Sequence, residues 1–342
     1  MTELTDKFKE LALANGRNIS CMIIAGSKTY YDDRIIKFDF DDVVHPDWFT
    51  IGTVCSNEFS FTVRDSTEHA IHTEVRPYIS FDGVEWCPLG IFYMARRYFR
   101  GNYTTFVCYD KMYDLDVEFS HEYPAQNYPQ AADVLEFACE EAGLTFNGSC
   151  DKYTINDPEQ PATIRQIIGY IAALNCACAK IGKDGQLVFK KYSKMPTEQL
   201  SEKNCFSITR NITRAGISGL RVNTGTQTLR YGEYTGASLI DIYNPFMRQE
   251  LVNAIGKRLD ALYFYGAEIE MQGLPFMEAG DLIMLNENGK LTPISVSEIK
   301  YHYDGALTAK LFSKNRSDAD TVVHRQEFED ALAALWDYIF SN

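Results

Sequence analysis

Two pairs of cysteine and histidine residues come nearest to a metal site in this chain. Cys176 and Cys178 stand two apart, and on a strand both thiols would point to one face. His69 and His72 stand three apart beside Glu68. A zinc site takes four ligands, and neither a CxxC pair, an HxxxH pair nor an HExxH motif is present to complete one. We therefore expect no metal and no cofactor, reduced structural cysteines, and both histidines in a polar loop.

Six aspartates crowd the segment from 32 to 47, and paired carboxylates can bind calcium or cleave glycosides. The spacing fits neither chemistry, because the glycine and the terminal glutamate of a calcium loop are missing. We expect exposed carboxylates that flank strands and block the pairing of strand edges. The six residues are Asp32, Asp33, Asp39, Asp41, Asp42 and Asp47.

No motif of nucleophilic catalysis or nucleotide binding is present. The chain has no GxSxG elbow, no phosphate-binding loop and no dinucleotide fingerprint. The basic and aromatic run from Arg96 to Tyr103 could imitate a nucleic-acid platform, but the alternation of a β-hairpin explains it equally well. A formal net charge of −14 also disfavours adhesion to nucleic acid or to anionic membrane. We expect a protein that is not an enzyme.

The composition is that of a folded protein with more than one domain. The chain has 342 residues, of which 45% are hydrophobic and 13% aromatic, and a high aromatic share favours strands and buried interfaces. No segment reaches the roughly 18 apolar residues of a membrane span, and the N-terminus lacks the apolar core of a secretory signal. We expect synthesis in the cytoplasm and no membrane insertion.

The order of elements predicts an α+β, β-rich protein. Residues 1–120 are strand-rich, with hairpin turns at Asp82-Gly83 and Gly101-Asn102. Residues 121–200 predict a small α/β unit, in which helices open at Pro129 and Pro161 and a hairpin turns at 183–185.

Residues 201–315 return to strands around one helix that begins after Pro245, with turns at Asn288-Gly289 and Asp304-Gly305. Residues 316–342 predict an amphipathic helix that either docks on its own domain or packs at an interface. Its interface candidates are Phe328, Leu332, Leu335, Trp336 and Ile339.

The segment from Ile51 to Asp116 carries a family resemblance. Within it, Pro88-Leu89-Gly90 leads into a strand, a glycine turn and a second strand that ends in Tyr109-Asp110, followed by Leu115-Asp116. This order resembles the first tube-type domain of the hub proteins of phage and prophage tails. The resemblance implies two tube-type β-barrel-like domains in each subunit, so that a homotrimer presents a pseudo-sixfold ring. It also implies a structural baseplate hub at the tail tip that permits DNA passage without binding DNA specifically.

The same resemblance implies the partners and the location of the protein. The hub would join the tail tube or distal tail protein to a spike, fibre or lysin, near the tape measure, after synthesis in the bacterial host. We expect no lysin domain after the last predicted strand, because the sequence that follows it is short. Two alternatives stay open: a tail-associated cell-wall hydrolase, and a carbohydrate-binding baseplate module suggested by the aromatic residues Trp48, Trp86 and Tyr231.

Overall fold

The computed structural model describes residues 4–65, 68–120, 129–155, 161–192, 195–232, 239–260 and 262–314. These residues confirm a β-rich α+β protein. Its helices are α1 (Asp6–Leu13), α2 (Ala131–Glu141), α3 (Ile164–Leu174) and α4 (Gln249–Leu259). Among the described residues, no helix has the length and apolar character needed to cross a membrane.

The strands form three groups in chain order, which we call the first, second and third regions. The first region has β1 (Ser20–Ala25), β2 (Lys28–Tyr31), β3 (Ile35–Val43), β4 (Glu58–Val63), β5 (Glu74–Ser80), β6 (Cys87–Pro88), β7 (Phe92–Arg100) and β8 (Tyr103–Tyr109). The second has β9 (Ala177–Ile181), β10 (Leu187–Lys191) and β11 (Glu198–Ser201). The third has β12 (Cys205–Gly216), β13 (Gly219–Asn223), β14 (Thr228–Gly232), β15 (Leu239–Tyr243), β16 (Tyr263–Gln272), β17 (Leu282–Glu287), β18 (Lys290–Ser295), β19 (Glu298–Tyr303) and β20 (Leu307–Ser313).

One sheet of 12 strands joins the first and third regions. Its order is β12-β16-β20-β19-β3-β4-β8-β7-β5-β1-β2, with β6 beside β5. Among the described residues no strand pairing closes this sheet into a barrel, so the expected barrel-like domains are instead two adjoining parts of an open sheet. Three small sheets accompany it: β10-β9, β11-β17-β18 and β14-β13-β15.

The seam between the two regions is the antiparallel pair β3 and β19. On the core side, Phe40 stacks on Tyr301 and Phe38 on Tyr303, with ring centroids 5.8 and 5.2 Å apart. These pairs face each other directly in the strand register. Aromatic cross-strand pairs of this kind stabilise a sheet beyond the area that they bury. The seam is therefore held by aromatic contacts as well as by backbone pairing.

The buried residues of the third region are shared between two main hydrophobic cores. One core lies on the large sheet and also takes in α1 and the β11-β17-β18 sheet. The other surrounds α2 and α3 and also takes in α4 and the β13-β14-β15 sheet. The domain limits at 120, 200 and 315 stay predictions, but packing groups α4 with the α/β unit that precedes it in the chain.

The predicted turns are confirmed, as is the start of α4 after Pro245, whereas the predicted starts of α2 and α3 are wrong. Chain reversals occur at or beside all of the glycines singled out in the sequence. The helices α2 and α3 begin a few residues after the prolines that are expected to open them. For α3 the reason is a capping box, in which Thr163 Oγ1 accepts from the Gln166 backbone N–H and Gln166 Oε1 accepts from the Thr163 N–H.

Candidate functional site

The large sheet carries a charged face opposite its core. One row of residues in register runs across five strands, from Glu58 through Asp41, Lys300 and Lys310 to Glu270. Lys300 Nζ lies 3.4 Å from Asp41 Oδ2 and 3.0 Å from Glu298 Oε1. Because these pairs are partly solvated, each contributes at most about 1 kcal/mol to stability. Their effect is to cover the seam with alternating charges.

A second row on this face contains a histidine. His302 Nδ1 lies 2.6 Å from Asp39 Oδ1, and its Nε2 lies 3.6 Å from Asp304 Oδ2. Together with the first row it lines an open groove of about 370 Å³, on whose wall Phe206 is exposed. Burial raises the pKa of Asp41 even though Lys300 opposes the shift, and nearby Glu298 and Glu58 raise it further. The face is thus crowded with carboxylates.

Behind the seam lies a buried cluster of opposite charges. Lys180 Nζ lies 2.5 Å from Asp42 Oδ1, and both side chains are only 3% exposed. The other oxygen of Asp42 accepts from the Ala279 N–H at 2.9 Å. Glu278 lies 4.0 Å from Lys180, and two more lysines reach the same carboxylate. These lysines are Lys183 and Lys190, from the β9–β10 hairpin.

The electrostatics of Glu278 follow from those three ammonium groups. Burial alone would raise the pKa of the carboxyl, but Lys183, Lys180 and Lys190 together lower it well below its usual range. Lys190 also reaches Asp281 at 3.2 Å. The cluster, which we name the ion cluster, fixes the β9–β10 hairpin against the end of β3 and the loop before β17.

A second buried carboxylate holds the start of the next segment. Asp110 accepts from the Asn57 N–H, the Ser56 hydroxyl and the Met112 N–H, each at 3.0 Å. Complete burial raises the pKa of Asp110 to about 7, although those three hydrogen bonds oppose the shift. The Arg165 guanidinium donates to the Val54 carbonyl at 3.0 Å nearby. Side chains of α3 and of the loop after β8 thus tie the α/β unit to the first region.

The structure places the cysteines and histidines apart, and no group of three or more metal-ligating side chains occurs among the described residues. All nine cysteines are free, and most are buried. Cys176 lies just before β9 with a φ of 53°, so the expectation that it shares a strand face with Cys178 is wrong. His69 lies in a loop, as expected, but its side chain is buried instead of solvated. Its Nε2 lies 2.8 Å from the Tyr30 hydroxyl oxygen. His72 lies in an exposed turn, as expected.

The expected role of the aspartate cluster is wrong for its central members. They lie on β3, a strand in the middle of the sheet, where no edge needs protection. Asp39 and Asp41 belong to the charged face, and Asp42 is buried against a lysine 138 residues away in sequence. No residue near Asp42 in the sequence indicates this partner. A lysine between apolar residues in a strand, as Lys180 is in ACAKI, is the feature that could have indicated a buried pair.

The aromatic residues proposed for carbohydrate binding are half-buried and make no exposed platform. Trp48, Trp86 and Tyr231 are all of intermediate exposure, and the Tyr231 hydroxyl donates to Asp260 at 2.6 Å. The exposed aromatics include Tyr98, Phe99 and Tyr103 at the β7–β8 turn. The predicted interface residues Phe328, Leu332, Leu335, Trp336 and Ile339 lie outside the described residues, so their role stays a prediction.

Comparison with known proteins gives the fold but not a sequence family. The sequence matches no family model and no curated protein. Three solved structures resemble the chain over most of both lengths.

The 43 kDa tail protein of prophage MuSo2 from Shewanella oneidensis has a TM-score of 0.57 at 14% identity, covering 86% of this chain and 97% of that one. A tail protein from Neisseria meningitidis MC58 has a TM-score of 0.59 at 12% identity, covering 86% and 96%. Prophage tail protein gp18 from Listeria monocytogenes EGD-e has a TM-score of 0.52 at 10% identity, covering 91% and 98%. The chain therefore has the fold seen in these prophage tail proteins.

Proposed function

We propose that the protein is a structural hub of a phage or prophage tail baseplate, working as a homotrimeric ring without enzymatic activity. The observation that carries the proposal is the continuous sheet. Its β3–β19 seam joins the two β-rich regions in register, so each chain offers two adjoining sheet units in a fixed relation. Three chains would supply six such units. The fold shared with prophage tail proteins supports the same role.

The charged face is the surface that we assign to the central passage. It carries six carboxylates against four ammonium groups, and the Arg96 guanidinium lies in the same register row as Asp39. The carboxylates belong to Asp39, Asp41, Glu58, Glu268, Glu270 and Glu298, and the ammonium groups to Lys37, Lys300, Lys310 and Lys314. Such a face neutralises few DNA phosphates, so it releases few of the counterions condensed on the DNA. Counterion release is the main source of non-specific affinity for DNA. The face can thus conduct DNA without holding it.

The ion cluster supports this function by keeping the α/β unit fixed behind the seam. A ring that transmits force cannot let its subunits flex, and a buried charge pair resists separation because each charge alone is costly in the interior. We further propose that the C-terminal segment 316–342, with the apolar stripe named above, contacts a neighbouring tail component such as a distal tail protein, spike or lysin.

The mass of the purified protein tests the proposal first. Native mass spectrometry over a range of concentrations is expected to show a species of three times the 38.9 kDa chain. The same preparation is expected to show no retention of double-stranded DNA at physiological salt, and no release of soluble fragments from bacterial cell walls. A protein that stays monomeric at about 100 µM would contradict the ring, and wall cleavage would contradict the structural role.

A further inference from the structure

We propose that the tip of the β7–β8 hairpin docks onto an acidic face of a second copy of this chain. The hairpin tip, as we name it, comprises Arg64, Arg97, Tyr98, Phe99, Arg100 and Tyr103. The inference rests on the proposed ring and assigns the surfaces that would close it. A threefold ring needs a heterologous contact, in which two different patches of the same chain meet. The chain must therefore carry two complementary patches.

The hairpin tip has the composition of an interface anchor. Tyr98, Phe99 and Tyr103 are 55%, 51% and 41% exposed. The Arg97 guanidinium lies 5.6 Å from the Phe99 ring centroid, and that of Arg64 lies 6.0 Å from the centroid of Tyr103. Arginine stacked on an exposed aromatic ring offers a flat, ordered surface, and both residue types are enriched where interfaces gain most of their affinity.

The tip is also cationic within an acidic chain. Of its three arginines, Arg97 is paired with a carboxylate, Glu68, at 3.5 Å. Arg64 and Arg100 make no ion pair with any described residue, and the carboxylate of Asp65 is already bonded to Lys28. A cationic patch on a chain of net charge −14 is attracted by most of the surface of a second copy. The electrostatic attraction between the two copies would extend over about 8 Å, the Debye length at physiological salt.

The complementary patch lies at the far end of the same hairpin, about 20 Å away by the length of β8. We name it the acidic face: Tyr113, Asp114, Asp116, Val117, Glu118 and Glu141. Val117 and Tyr113 are 53% and 45% exposed, so apolar surface is present on this side as well. Asp116 pairs with Arg165 at 2.7 Å, and Glu141 accepts from the Ser120 N–H. Asp114 and Glu118 are exposed and make no ion pair with any described residue.

The two patches match in kind, and Arg96 lies between them, hydrogen-bonded to Tyr98 of the tip and to Tyr113 of the acidic face. Each patch has exposed apolar rings or branches beside charges of one sign, and the signs of the two patches are opposite. A tip-to-face contact repeated around an axis uses each patch once per subunit. Tyr98 lies in the same register row as Lys37, so the contact borders the charged face of the large sheet.

Charge reversal tests the contact. The variant Arg64→Glu with Arg100→Glu is expected to raise the dissociation constant of the ring at least tenfold in sedimentation velocity, and Asp114→Lys with Glu118→Lys is expected to do the same. The chain carrying all four substitutions is expected to return to within about threefold of the unaltered protein, because the attraction is restored with its sign exchanged. A loss of folding could not produce that recovery.

The matched control is Lys257→Glu with Lys290→Glu, which changes net charge by the same amount at exposed sites elsewhere. It is expected to leave the dissociation constant unchanged. If the unaltered protein forms a ring and the tip variant forms it equally well, the docking inference is wrong and the ring stands. If the unaltered protein stays a monomer, both the ring and the docking of a second copy are wrong. Loss of DNA binding in the tip variant, with the ring intact, would overturn a second copy in favour of nucleic acid.

Discussion

The ion cluster offers the sharpest test of how this fold is held together. Replacing Asp42 by Ala removes the carboxylate 2.5 Å from Lys180 Nζ and leaves that ammonium group almost fully buried. Breaking a buried ion pair by deleting one partner costs about 3–5 kcal/mol, because the remaining charge has lost its compensation. Glu278 stays 4.0 Å from Lys180, so part of the compensation is kept. We expect a loss near the lower limit, about 3 kcal/mol in the free energy of unfolding.

The reciprocal variant, Lys180→Met, leaves Asp42 with a single donor, the Ala279 N–H. We expect a loss of stability similar to that of Asp42→Ala, because a buried charge again loses its partner. The double variant Asp42→Leu with Lys180→Met removes both charges and is expected to be more stable than either single variant.

Urea unfolding followed by circular dichroism and by tryptophan fluorescence measures these free energies, and coincident curves show that the transition is cooperative. The control is Lys310→Met, which breaks an exposed pair with Glu268 on the charged face and is expected to cost less than about 1 kcal/mol. The reasoning is refuted if Lys180→Met and Lys310→Met lower the unfolding free energy equally. It is also refuted if the double variant is the least stable of the three.

Three further predictions concern the attachment of the α/β unit and the end of the chain. Because burial raises the pKa of Asp110 to about 7, above its unfolded value, the stability that it contributes is present at low pH and is lost as pH rises through 7. Asp110→Asn is expected to flatten that part of the pH profile of unfolding, and parallel profiles would contradict it. Gly52→Ala is expected to cost about 1–2 kcal/mol more than Gly83→Ala, although both glycines have positive φ, because a Cβ at Gly52 would lie 2.8 Å from the Gly169 carbonyl oxygen and one at Gly83 meets nothing. Deleting 316–342 is expected to leave the thermal unfolding temperature of the large sheet unchanged while abolishing capture of a purified distal tail or spike component, and unchanged capture would contradict an interface there.

Local pattern predicted the strands of this fold far better than their arrangement. The hairpin at Gly101-Asn102 was predictable because its strands are neighbours in sequence and its turn chemistry is local. The seam was not, because β3 and β19 are separated by more than half of the chain, and alternation says which face of a strand is buried but not which strand lies beside it. The sequence therefore predicted two barrel-like domains but not the strand pairing that joins them in one sheet.

The site residues were missed for a related reason. An aspartate beside other aspartates indicates an exposed cluster, and only the distant Lys180 makes burial of Asp42 tolerable. Similarly, His69 was expected in a polar loop because its neighbours in sequence are polar, whereas its neighbours in space are Tyr30 and Phe106. Trp48 and Trp86 were expected to be exposed, because the hydrophobicity of a side chain does not show whether the fold buries it.

Two buried contacts attach the α/β unit to the large sheet, and they limit how such a ring could move. The ion cluster holds the β9–β10 hairpin at the end of β3, and the close contact of Gly52 with Gly169 holds α3 beside the loop that follows β3. A rotation of the α/β unit about the seam would have to separate buried charges at the first contact or force backbone atoms together at the second. Both costs fall on the interior and are insensitive to salt. Any change in ring geometry is therefore expected at the salt-sensitive contact between subunits, where the hairpin tip meets the acidic face.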